Sequence, residues 1–109
     1  TEQAKKYLSD ILSAIVWIEE FTKDTILYSQ YEEDKKTQSA VERQLGIIGE
    51  AVNHYDKLEP ENALEQARKI IGFRNRLIHA YDSVDTSMIW AILKKYLPLL
   101  KAEIIEKLK

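Results

Sequence analysis

The sequence predicts an all-α fold, an antiparallel bundle of four long helices with a short extra helical turn between the first two. Three observations predict it. Apolar residues recur at steps of three and four along four separate stretches, the spacing that lines one face of a helix. Only three glycines and two prolines occur in 109 residues, which favours long helices over a turn-rich sheet. Residues suited to starting helices (Thr22, Asn62, and Asp85 or Thr86) stand between the stretches. One domain spanning residues 1–109 is expected, because this length supports a single modest core. No internal repeat, low-complexity tract or linker divides it.

The first helix is expected from about Ala4 to Phe21, with Leu8, Ile11, Leu12, Ile15, Ile18 and Phe21 on its apolar face. Trp17 lies off that stripe and is a candidate for a second contact surface. Between Thr22 and Tyr31, Thr22 is expected to cap a short turn, with Tyr28 and Tyr31 packing back onto the bundle. The mixed charges of residues 32–36 read as a solvated helix start. A second long helix follows from about Asp34 to Lys57, facing the core with Val41, Leu45, Ile48, Val52 and Tyr55. Gly46 and Gly49 flank that face, where a missing side chain lets a neighbouring helix come close. Glu50 and His54 are four residues apart and can touch. Two ligands do not make a metal site, so an ordinary hydrogen bond is expected and no metal. Pro60 breaks this helix, and Asn62 is expected to cap the next, from about Ala63 to Ile78. A turn at residues 82–85 leads to a last helix that reaches about Leu108. Pro98 should bend it, since proline cannot donate an amide back to Lys94.

Composition narrows the function classes. The chain has no cysteine, which excludes disulfide scaffolds and cysteine zinc sites and fits a reducing cytoplasm. It has no run of about 18 apolar residues that would span a membrane and no signal-peptide pattern. Its net charge is −2, whereas nucleic-acid-coating proteins are usually basic, so any RNA contact must come from a local patch.

The chemistry concentrates in Arg74-Asn75-Arg76-Leu77-Ile78-His79-Ala80-Tyr81. A guanidinium is a fixed cationic fork for phosphate oxygens, and an imidazole exchanges a proton near neutral pH. On a helical wheel, Leu64, Ala67, Ile70, Ile71, Phe73, Leu77 and Ile78 fill one broad arc. Arg74 projects near its middle, and Tyr81 lies close to the same direction. A guanidinium among apolar side chains is costly unless it is paired or lines a wet cleft. His79 points about 140° from Arg74 on a regular helix. Acting on one phosphate therefore requires an unwound helix end before His79 or two copies of the chain; two copies are expected, with some unwinding as well. Singly, an arginine or a histidine here would usually be structural; together they point to a phosphate site. Arg76 falls on the polar side, open to solvation or a phosphate contact.

The run RNRLIHAY resembles the R-x-x-x-x-H-x-Y motif of the HepT toxins of HepT–MntA toxin–antitoxin pairs, within the HEPN superfamily of small helical proteins. Two further blocks agree in order. AVERQLGIIGEAV on the second long helix is similar to the family's AV-x-R-x-L-x-I-IGEA stretch. VDTSMIWAILKKYLPLL on the last is similar to its VD-x-x-x-IW-x-I-x-x-x-LP-x-L pattern. The similarity is strongest over residues 40–100. LSDILSAIVWIEEF matches only in its apolar pattern, and residues 22–31 do not align.

The resemblance implies a HEPN-like bundle and a metal-independent endoribonuclease that works as a homodimer without a cofactor. Arg74 and His79 would be its catalytic pair and Asn75 a residue orienting His79. It implies an RNA substrate, tRNA in this family, and an MntA-like nucleotidyltransferase antitoxin that silences the enzyme by transferring AMP to Tyr81. It leaves open a non-catalytic HEPN subunit that binds nucleotide or a partner nucleotidyltransferase. A structural helical dimer in which Arg74 makes a buried ion pair is the third alternative.

Overall fold

The computed structural model describes the backbone of residues 1–79 and 85–109 and the side chains of residues 1–72 and 85–109. Six α-helices occur among the described residues: α1 (Glu2–Thr22), α2 (Tyr28–Glu33), α3 (Lys35–Leu58), α4 (Glu65–His79), α5 (Thr86–Ala91) and α6 (Leu97–Leu108). A 3₁₀ turn at Pro60–Asn62 joins α3 to α4, and a π-helical turn at Ile92–Tyr96 makes α5 and α6 one continuous rod. The all-α bundle is as expected.

Contacts between helix ends fix the antiparallel directions. The terminal amine of Thr1 lies 3.5 Å from the Glu59 carboxylate just past α3, so α1 and α3 run oppositely. Lys101 of α6 pairs with Glu19 near the end of α1 at 3.0 Å. Glu103 of α6 meets the first amides of α4. The core joins Leu8, Ile11, Ile15 and Ile18 of α1 to Val41, Leu45, Ile48 and Val52 of α3, and to Ile92, Leu97, Leu100 and Ile104 of the last rod. α4 contributes Leu64 just before its start, Ala67 and Ile70, all but fully buried. Among the described residues no helix is long and apolar enough to cross a membrane.

Several local expectations need correction. Thr22 does not start a helix; its hydroxyl donates back to the Ile18 carbonyl at 2.8 Å, closing α1. The next turn is started by Gln30, whose side-chain oxygen accepts from the Ile26 and Leu27 amides at 2.8 and 2.9 Å. Tyr31 is fully buried and Tyr28 half-buried, and both lie against Trp90. The side-chain amide of Gln38 donates to the Tyr31 and Glu32 carbonyls at 2.8 and 2.9 Å, fastening the end of α2 to α3. Asp34 caps α3 by accepting from the Thr37 amide and hydroxyl.

Pro98 is accommodated by a widened turn. The Leu97 amide donates to Ile92, five residues back rather than four, one residue before the proline that cannot donate at all. Asn62 does not cap α4 with its side chain; its carbonyl instead accepts from the Tyr55 hydroxyl at 3.2 Å.

Candidate functional site

The candidate site rests on α4, and α4 is placed by residues far away in sequence. The first amides of a helix have no partner within it. On α4 they are met by one carboxylate: Glu103 accepts from the Glu65 amide at 3.1 Å and from the Gln66 amide at 3.2 Å. A negative charge there also complements the positive end of the helix dipole. Asp56 of α3 lies 3.7 Å from the Nε of Arg68, tying the same end of α4 to a second helix. Glu103 carries no local sequence signal, because its partners stand 37 and 38 residues away.

From that anchored start α4 stays helical through His79, so the expected unwinding before His79 is absent. Arg74, Asn75 and His79 share this continuous helix. Positions 74 and 79 are about 7.5 Å apart along the axis and about 140° apart around it. The buried line of Ala67 and Ile70 extends by helical register to position 74. The side chains of Arg74, Asn75, Arg76 and His79, and the whole of Tyr81, lie outside the described residues.

The opposite flank of α4 is open. Arg68 and Lys69 are exposed, and the register carries Gly72 and then position 76 along the same side. Among the described residues, a methyl group added at Gly72 would meet nothing within 4 Å. Arg68 is already paired with Asp56, so Lys69 is the cation left without an ion-pair partner on this side among the described residues.

The segment after the motif is anchored as well. Asp85 caps α5 as expected, accepting from the Ser87 and Met88 amides at 3.0 and 3.4 Å. The Ser87 hydroxyl, with help from those amides, holds the Asp85 carboxyl below its usual range. The Tyr28 and Thr86 hydroxyls are 3.3 Å apart, which joins α2 to the first residue of α5.

Glu50 and His54 do not form the expected pair. His54 stacks on Tyr7 of α1, ring centres 5.1 Å apart and planes 15° from parallel. Among the described residues no group of three or more His, Cys, Asp or Glu could hold a metal ion. Trp17, flagged as a possible second contact surface, is 53% exposed and stacks on Phe21.

Comparison with known proteins agrees with the motif. The family described as Ribonuclease HepT-like matches residues 11–107. A Thermococcus cleftensis protein named "Probable ribonuclease HepT" is 44% identical over 96% of this chain and 94% of its own. A Methanocaldococcus jannaschii protein named "Putative RNase MJ1380" is 37% identical over 92% of each. No solved structure matches the chain.

Proposed function

The chain belongs to the Ribonuclease HepT-like family, and on that premise we propose that it is a metal-independent endoribonuclease with Arg74 and His79 as its catalytic pair. The observation that supports this reading is that both residues stand on one continuous helix, α4, within the stretch that the family model matches.

The chemistry needs no external nucleophile. The ribose 2′-hydroxyl attacks the adjacent phosphorus, the O2′–P bond forms and the P–O5′ bond breaks. His79 takes the 2′ proton, and the departing 5′-oxygen receives a proton from an imidazolium. Arg74 holds the phosphoryl oxygens as negative charge grows on them. The products are a 2′,3′-cyclic phosphate and a 5′-hydroxyl. Asn75, four residues before His79, orients the ring.

The reading includes a homodimer. In-line attack sets the entering and leaving oxygens on opposite sides of phosphorus. One imidazole serves both poorly; two copies of α4 facing a shared cleft serve both well. It also includes tRNA as substrate and an MntA-like nucleotidyltransferase antitoxin that transfers AMP to Tyr81. An adenylate two residues from His79 adds bulk and negative charge that compete with RNA phosphate for the guanidinium.

The test is incubation of the purified chain with tRNA in EDTA beside His79→Ala. The expected result is cleavage with cyclic-phosphate ends by the parent and none by the variant. Equal cleavage by both, or none by either, rejects the assignment.

A further inference from the structure

We propose that the cavity between α1 and α3 is a docking site for an arginine-bearing segment of a partner protein. The cavity has a volume of about 480 Å³, within the usual range for ligand sites, roughly 300–1,000 Å³. Its walls are aromatic. Tyr7 and His54 form one as a stacked pair, and the half-exposed indole of Trp17 forms another. Asp10 of α1 and Glu50 of α3 bring a carboxylate from each side, and Gln44 adds an amide.

This lining selects for charge. It contains two carboxylates and, among the described residues, no lysine or arginine, so it repels phosphate and favours a cation. Aromatic faces attract a guanidinium through the ring quadrupole, and a carboxylate receives it as a two-pronged donor. The chain already seats a cation of its own at the rim. The Lys6 ammonium lies 5.3 Å from the centre of the Tyr7 ring and 3.2 Å from the Asp10 carboxylate. Glu50 is exposed and has no ion-pair partner among the described residues, which leaves one carboxylate for a visitor beside Trp17. α1 and α4 each pack on α3 and on α6.

The experiment is calorimetric titration of the full chain with the peptide acetyl-Gly-Arg-Gly-Arg-Gly-amide and its citrulline counterpart, which keeps the shape and loses the charge. The arginine peptide should bind the parent about tenfold more tightly or better than the citrulline one. Glu50→Gln and Trp17→Ala should each weaken binding about fivefold, with Trp17→Phe restoring part of the loss. Glu61→Gln removes the same charge from the exposed 3₁₀ turn outside the cavity and should leave affinity unchanged. Thermal melts establish that each variant is folded. The proposal is overturned if the parent binds neither peptide at millimolar concentration, or if citrulline serves as well as arginine. It is equally overturned if Glu61→Gln weakens binding as much as Glu50→Gln, or if oligouridylate rather than the peptide occupies the groove and quenches Trp17.

Discussion

Replacing Glu103 with alanine should loosen the start of the motif helix without touching the motif. The Glu103 carboxylate serves the Glu65 and Gln66 amides at once, which makes it an N-cap delivered from another helix. Losing a side-chain cap costs about 0.5–2 kcal/mol, and losing a negative charge at a helix start costs about 0.3–1 kcal/mol more. One effect opposes this. Asp56, Glu59 and Glu103 are half-buried acids that all act electrostatically on the Tyr55 hydroxyl, so removing one relieves some mutual repulsion, worth a few tenths of a kcal/mol near the surface. The balance is a loss of about 1–2 kcal/mol, which lowers the melting temperature of a chain this size by about 4–8 °C. Glu103→Gln keeps an acceptor but no charge, and should lose about half as much. Thermal denaturation followed by circular dichroism gives the size of the effect. Amide hydrogen exchange gives its place, with lost protection confined to the first turn of α4. A Glu103→Ala protein melting within about 1 °C of the parent, with those amides still protected, would refute the argument.

Three further outcomes are expected. Arg74→Lys should fold normally yet lose about 100-fold in kcat/KM, because an ammonium cannot offer the planar fork; retained cleavage would reduce Arg74 to a point charge. Tyr31→Phe should raise stability by about 1 kcal/mol, since the Tyr31 hydroxyl is buried without a hydrogen-bond partner among the described residues and deleting an unsatisfied group removes its desolvation cost. A destabilised Tyr31→Phe protein in urea melts would mean that an ordered water satisfies the phenol. Asp34 and Asp85 both have carboxyls held low, by the Thr37 hydroxyl and the Ser87 hydroxyl respectively. Their contribution is complete above the unfolded carboxylate value, about 3.9, and disappears as pH falls through the lower folded values. Melting temperature should therefore drop on the acid side, and Asp34→Asn with Asp85→Asn should flatten that limb. An unchanged acid limb would show that the caps do not titrate as the geometry requires.

The parts of the fold legible in the sequence were those set by near neighbours. The stripe of Leu8, Ile11, Ile15 and Ile18, the break at Pro60 and the Asp85 cap each depend on residues within a turn or two, and all are present. Two of the misses share one physical origin, a partner supplied from elsewhere. Asn62 has the chemistry of a cap, but Glu103 reaches the same amides from across the bundle. Glu50 and His54 have contact spacing, but Tyr7 offers His54 a flat ring from the neighbouring helix. The packing of Tyr28 and Tyr31 onto the bundle was legible, while the identity of their neighbour Trp90 was not. At the site, the sequence placed Arg74 and His79 at the end of one helix, and α4 does carry both positions. It did not anticipate that α4 would remain helical to His79.

The π turn at Ile92–Tyr96 divides responsibility for the two flanks of the motif. Below this seam, α6 grips the beginning of α4 through Glu103. Above it, α5 follows the motif in sequence and is moored to α2 through Thr86 and Trp90. A joint of looser hydrogen bonding therefore lies between the two moorings. The foot of α4 and the start of α2 are thus held by different segments of the last rod.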